Sequence, residues 1–388
     1  MKAYPNKLLE NTFLVEESKS MRNGKFISPD QYFVIKTKYE QLKTQPNILV
    51  RAGFFFLGIL LYASIAGAFA LISMPVWDHG NFDFSILIFI YAAIGLAASE
   101  FFAKNNYYNF GLDDLFVLGF QVMLFTAIEV STESKIAVLI VMGITGTLSC
   151  LRYVNSLSAL VSLIGIAGTV AVLIVDYRII STAFLPFVML SLAGLLYWIF
   201  TVLKKHPEAY FYRCALQLLQ VFSLILGYAS VNYLVVRELS AELLGIEVKP
   251  GEDIPFAFLF YGLTFLIPVG YIALALKKKS REFLIVGLLA FAFSIFSIRY
   301  YYHLMPIEAA LILGGMLLFG IACFGIARLK NKESGVTFKA DRNTDKNSLM
   351  YAQAIVINSQ LHSHQPVSED PMHFGGGGFS GGGAGESF

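Results

Sequence analysis

Charge is scarce in this chain. Only 14% of its residues are Asp, Glu, Lys or Arg, against roughly 25% in a soluble globular protein. Net charge is +2, which leaves no electrostatic footprint for nucleic acid. There are three cysteines, Cys150, Cys214 and Cys323, in or beside apolar runs and without CxxC spacing, so neither a disulfide framework nor a zinc knuckle is expected. No HExxH and no P-loop occurs, which excludes a zinc protease and built-in ATP hydrolysis. Gly111-Leu-Asp-Asp114 lacks the second glycine of an intramembrane aspartyl motif, and Gly227-Tyr-Ala-Ser230 lacks the glycine and the buried histidine of a serine protease. No catalytic residue, cofactor site or metal site is expected, and no short apolar h-region of a signal peptide opens the chain.

What the chain has instead is apolar length. Hydrophobic residues make up 56%, and the mean hydropathy is +0.64. A helix needs about 20 mostly apolar residues to cross a bilayer. Ten segments qualify: 52–76, 82–102, 112–130, 136–152, 156–176, 180–203, 214–236, 255–276, 283–300 and 306–328. The fourth is the shortest and contains glycine. The expected fold is therefore an all-α polytopic membrane bundle of about ten helices. Its domains are a segment 1–50 with one amphipathic helix, a membrane domain 51–328 and a polar tail 329–388.

The basic loop Lys277-Lys-Lys-Ser-Arg281 sets the direction, because cytoplasmic loops accumulate Lys and Arg. With both termini inside, the inner connections carry nine basic residues: Lys104, Arg152, Lys204, Lys205, Arg213, Lys277, Lys278, Lys279 and Arg281. The outer ones carry five: Lys135, Arg178, Arg237, Lys249 and Arg299. An even number of spans with both ends in the cytoplasm is the expectation. The connections are short, so neighbouring spans should form antiparallel hairpins. The exception is Arg237–Ile254, an acidic outer loop in which Ser240–Leu244 could form one helical turn.

Before the first span, Ser28-Pro-Asp30 reads as a helix start, with serine as N-cap and proline at the first position. The helix expected over Pro29–Thr44 carries Tyr32, Ile35, Tyr39 and Leu42 as one apolar stripe. That stripe must meet the membrane surface, a partner or the protein's own loops. Close helix approaches are expected at Gly95 and Ser99, at Gly165 and Gly168, and at Gly314, Gly315 and Gly320.

Ionisable or amide groups within spans are functional candidates by default. Asp113 and Asp114 open the third span as capping acids. Asp176 and Arg178 could pair with each other. Gln217, Gln220 and Asn232 lie in the seventh span, either as interhelical glue or lining a polar route. Arg299 and Glu308 flank a tyrosine-rich turn and could lock or gate the outer end of the last hairpin. In the tail, Phe374, Phe379 and Phe388 punctuate a run with eight glycines in the last fourteen residues. Glycine-rich chain cannot form a core, but a terminal aromatic and its carboxylate can be captured by a protein partner.

The opening Gly24-Lys-Phe-Ile-Ser-Pro-Asp-Gln31, its amphipathic helix and the long first span resemble the start of a bacterial family of inner-membrane proteins defined only as a domain of unknown function. The hairpin around Tyr300-Tyr-Tyr-His-Leu304 is similar to the closing hairpin of related multi-spanning proteins. The Gly-Gly-Gly-Gly-Phe-Ser-Gly-Gly-Gly-Ala ending resembles the tails of TPM-class membrane proteins. These resemblances imply a polytopic protein of the bacterial inner membrane and bring no catalytic residues. The expected role is a non-catalytic scaffold that docks a protein partner through its cytoplasmic ends while sitting in the lipid bilayer. The alternative is a secondary transporter of a small apolar or aromatic solute, with Gln217, Gln220 and Asn232 along its route.

Overall fold

The computed structural model describes residues 2–24, 26–77, 84–244 and 256–302, with scattered helical positions between 312 and 327. Among these residues all regular structure is helical, apart from one isolated bridge between Lys43 and Tyr107. Two helices, α1 (Asn6–Asn23) and α2 (Pro29–Lys38), precede the apolar ones. Then come α3 (Ile48–Trp77), α4 (Phe84–Lys104), α5 (Leu112–Thr132), α6 (Lys135–Tyr153), α7 (Ser156–Val175), α8 (Leu185–Leu203) and α9 (Arg213–Ala229). The last are α10 (Tyr233–Leu244), α11 (Ala257–Lys278) and α12 (Arg281–Tyr302).

Seven of these segments are long and apolar enough to cross a membrane. An eighth arises if α9 and α10 are one span, although they are bent by 73°. The short 136–152 segment is a full helix of 19 residues, capped at its start by the Ser134 hydroxyl. Most of the span expected at 306–328 lies outside the described residues.

Neighbouring helices pair as hairpins, with the most extensive contacts at α6/α7, α4/α5, α11/α12 and α8/α9. The reason is visible at α6/α7. A Cβ added at Gly165 would collide with the Gly143 nitrogen, so only glycine permits this backbone approach. In lipid there is no hydrophobic force between helices, and such close packing holds them together. The α3 helix is the outlier: it leans on α5 and leaves most of its length exposed, including Phe56, Leu60, Leu71 and Ile72.

The first fifty residues fold back on the bundle. Helix α2 begins at the expected Ser28 N-cap, which forms a capping box with Gln31, but it stops at Lys38, and 39–47 continue without helix. A second helix, α1, was not evident in the sequence because its apolar positions are few and interrupted by charge. Between them, Ile35 packs on Val15, and the Leu42 nitrogen donates to the Thr12 hydroxyl at 2.9 Å. The stripe therefore faces the protein itself. Tyr4, Leu9 and Leu42 join Tyr108, Tyr153 and Val154 in one buried cluster, so the segment caps the connections α4–α5 and α6–α7. Backbone bonds Ala3 N to Arg152 O (2.8 Å) and Lys43 N to Asn106 O (2.7 Å) fasten it. On the α8–α9 connection, Lys2 bonds Glu208 at 3.0 Å and lies 3.9 Å from the centre of the Phe211 ring.

Candidate functional site

Two buried polar regions lie within the bundle. The first forms where helix α9 ends and α10 begins. The sequence Ala229-Ser-Val-Asn232 breaks the helix, and a broken helix exposes backbone groups that lipid cannot satisfy. Here protein side chains meet the Tyr233 and Val235 nitrogens. Asn232, fully buried, is the N-cap of α10: its Oδ1 accepts from the Val235 nitrogen at 3.2 Å. Its Nδ2 donates to the Tyr228 hydroxyl at 2.8 Å and to Ser297 Oγ at 3.2 Å. The freed Tyr233 nitrogen donates to Thr264 Oγ1 at 3.0 Å.

Thr264 belongs to α11, which is continuous but misses one backbone hydrogen bond. Pro268 sits inside α11 and has no N–H, so the carbonyl four residues earlier, Thr264 O, loses its helical donor. Ser294 of α12 offers one: its Oγ lies 2.6 Å from Thr264 O, nearer than the 2.8 Å to Ala290 O of its own helix. The same hydroxyl lies 2.8 Å from the Tyr228 hydroxyl, which closes the network. One residue thus serves both helices: the Thr264 side chain caps α10, and its carbonyl takes the bond that Pro268 cannot make. Thr264, Ser294, Ser297 and Tyr228 are all buried. Thr264 lies seven residues into α11, about 10 Å along the helix at 1.5 Å per residue, which is inside the apolar layer.

The second region lies at the opposite, basic end, beneath the N-terminal cap. Gly111 (φ +111°) starts α5 in a conformation open to glycine, and a Cβ there would strike the Arg51 carbonyl oxygen. Asp113 accepts from the Phe110 and Gly111 nitrogens, each at 2.9 Å, and so ties down the loop before α5 rather than capping the helix's own first turn. Asp114 does more. Its Oδ2 accepts from Arg51 Nε of α3 at 2.8 Å, and its Oδ1 from Asn155 Nδ2 at the start of α7, also 2.8 Å. Asp114 is 5% exposed and Arg51 34%. Alongside, Arg152 of α6 pairs with Glu100 of α4. Among groups outside the spans, burial raises the Tyr4 and Tyr108 phenols well above their ordinary value near 10, with the Asp113 charge adding to the effect at Tyr4. Tyr212 is pushed up to about 12, chiefly by burial.

Of the residues singled out in the sequence, Asn232 is at the centre of the first region. Gln220 is buried on the same helix but enters none of its hydrogen bonds, and Gln217 is exposed. No ion pair joins Asp176 to Arg178 among the described residues. The Arg299 side chain, Glu308, and the tail phenylalanines Phe374, Phe379 and Phe388 lie outside the described residues, as does any lock or docking contact they would make. Sequence reasoning missed Thr264, Ser294 and Ser297. Their signal was Pro268, whose orphaned partner is always the carbonyl four residues back. Among the described residues no group of three or more His, Cys, Asp or Glu side chains is placed to hold a metal. Comparison with known proteins finds no match to a family model, a curated protein or a solved structure.

Proposed function

We propose that this protein is a multi-spanning secondary transporter of a small, largely apolar or aromatic solute. One observation carries the reading: the broken helix pair α9/α10 and the continuous helix α11, which lacks one backbone bond at Pro268, meet at a buried polar node within the apolar layer. Transporter substrate sites are built where discontinuous helices face each other near the membrane interior, because unwound backbone there supplies polar groups and can move. The node is neutral, which suits a solute without strong charge. Gln220, two turns below Tyr228 on the same helix, would line the approach to it. The folding of the N-terminal stripe onto its own connections also takes one docking surface away from the scaffold reading. In this proposal the chain makes ten crossings of a bacterial inner membrane with both termini cytoplasmic. The gathering of the capped connections at the basic end supports that orientation.

The test is flux. Purified protein in proteoliposomes, assayed with a panel of small aromatic and aliphatic solutes, is expected to give saturable uptake of at least one. Asn232→Ala and Gln220→Leu should reduce it at least tenfold at unchanged insertion. Absence of flux for every solute would contradict the reading. The scaffold reading rests on the composition of the tail. A crosslinked pull-down comparing the full chain with one stopped after Pro371 tests it: a stable partner lost on truncation would favour it over transport.

A further inference from the structure

Helices α1 and α2 form an antiparallel hairpin: Leu42 meets Thr12, Ile35 meets Val15, and the Tyr32 ring meets Arg22 at 4.6 Å. The cluster around Val15 and Ile35 draws its remaining members, Leu14, Ile27, Tyr32 and Tyr39, from the same hairpin. With Tyr32 and Ile35 turned inward, the other side of α2 is left uncovered. Phe33 is 65% exposed and Val34 53%. Phe26, in the turn between the helices, is 83% exposed, although its nitrogen bonds Met21 O at 2.9 Å and fixes the turn. At about 100° per helical residue, Lys36 flanks Phe33 on one side and Lys38 flanks Val34 on the other. Both lysines are exposed.

Charge and continuity identify what covers this face. Residues 19–38 hold five basic residues, Lys19, Arg22, Lys25, Lys36 and Lys38, against one acid, Asp30. Asp30 sits in the first turn of α2, where a negative charge suits the helix N-terminus. The acids Glu16, Glu17 and Glu40 precede and follow this stretch. An apolar strip flanked by lysines suits a membrane interface: rings enter the acyl boundary while ammonium groups stay among the headgroups. Continuity gives the place. Residues 39–47 lead from α2 along the α4–α5 connection, bonded to it through Lys43 N to Asn106 O and Tyr108 N to Lys43 O. They end at Ile48, where the apolar span of α3 begins. Ile48 and Leu49 are 79% and 78% exposed, which suits the lipid-covered start of that span. Glu16 of α1 lies near enough to Arg51, three residues into α3, for their charges to interact. The hairpin therefore stands beside the place where α3 begins.

We propose that α2 and the Phe26 turn form an interfacial anchor for anionic lipid. Phe26, Phe33 and Val34 enter the acyl boundary of the leaflet beside α3, and Lys36 and Lys38 engage the phosphate headgroups. The N-terminal segment is then held from two sides. Tyr4 and Leu9 fix it to the helix connections of the bundle, and the outer face of α2 fixes it to the bilayer. The anchor rests on the membrane reading and not on transport, so either can fail alone.

The experiment reads where one ring sits. Phe33→Trp is placed in the full chain together with Trp77→Phe and Trp198→Phe, which remove its two tryptophans. The protein is held in lipid nanodiscs of phosphatidylglycerol or phosphatidylcholine, with and without bromine on the acyl chains. In phosphatidylglycerol the emission should be blue-shifted, and brominated chains should reduce it by roughly half or more. Quenching should be weaker in phosphatidylcholine, and weaker in phosphatidylglycerol at high salt. Lys36→Gln with Lys38→Gln should lower the docked-to-undocked ratio by about fivefold per lysine. Emission like that of indole in water, unquenched in phosphatidylglycerol, would overturn the anchor and leave the face to water or a soluble partner. Blue emission without quenching would place the ring against protein and overturn it equally. Equal quenching in both lipids, unchanged in the lysine variant, would overturn the preference for anionic headgroups. Should Phe33→Trp not yield folded protein, the same readings from Phe26→Trp decide.

Discussion

The two buried polar regions solve the same problem with opposite chemistry. At the basic end, Arg51, Asp114, Glu100 and Arg152 tie α3, α4, α5 and α6 together with full charges. At the α9–α12 node, hydroxyls and one amide do the joining with no charge at all. Position explains the difference. The ion pairs sit at helix ends, where Arg51 reaches water and the cost of a charge is reduced by snorkelling. The node lies deeper, where a charge would cost several kcal/mol but a satisfied hydroxyl costs little. Charge therefore anchors the end that the cap covers. Neutral hydrogen bonds hold the place where helices break, and these can exchange partners at low cost.

The largest effect should come from breaking the anchor. Arg51→Ala strands the buried Asp114 carboxylate and is expected to cost about 3 kcal/mol, read as a drop in the unfolding midpoint of the nanodisc-held protein. Asp114→Asn keeps the bond from Asn155 and should cost distinctly less; equal losses would mean that the pair is not the anchor. Next comes the cap. Leu9 is fully buried among Tyr4, Tyr108 and Tyr153, and Leu9→Ala should cost about 2–3 kcal/mol. Because the cap is one layer, that loss should appear as faster trypsin cleavage at Lys19 and Arg22, with the spans still protected. Uniform destabilisation without faster cleavage there would deny the cap an independent existence.

At the node the expected losses are smaller and fall on function. Thr264→Val leaves the Tyr233 nitrogen without its acceptor and should cost about 1–2 kcal/mol, while reducing flux more than Arg51→Ala does at matched folded protein. The mildest effect concerns pH. Burial raises the Tyr4 and Tyr108 phenols, so the folded cap keeps both protonated, whereas detachment of the segment would expose both to ionise above pH 10. Stability from this source is complete below the ordinary tyrosine value and is lost as pH rises beyond it. Absorbance of tyrosinate should show the pair ionising only as the cap detaches, and Leu9→Ala should bring that ionisation to lower pH.

Much of the membrane domain was legible because hydropathy acts locally: α3 to α8, α11 and α12 fall within a few residues of the segments read from composition. The N-terminal cap was not, because whether Tyr32, Ile35 and Leu42 face lipid or protein depends on α1 and on Tyr108, far away in the chain. The bend at 230–232 was hidden for a related reason. Val231-Asn232-Tyr233 is apolar enough to read as continuous helix, and the break there leans on partners far along the chain, Thr264 and Ser297. Asn232 could be picked out as an amide within a span, but its partners on α11 and α12 depend on packing. Asp114 looked like a second capping acid beside Asp113; its links to Arg51 and Asn155 span 63 and 41 residues of sequence.

The account stands on the claim that the break in α9/α10 and the missing backbone bond at Pro268 in α11 form one unit, joined through Thr264 and Ser294. A double-mutant cycle between Pro268→Ala and Ser294→Ala, with stability measured in nanodiscs, tests it most directly. Ser294→Ala alone should cost about 1–2 kcal/mol, because Thr264 O loses its donor. The Pro268→Ala background restores a backbone N–H that can reach that carbonyl, so the same change should cost about 1 kcal/mol less there. Additive losses would show that Ser294 does not stand in for the missing proline N–H, and would contradict the node.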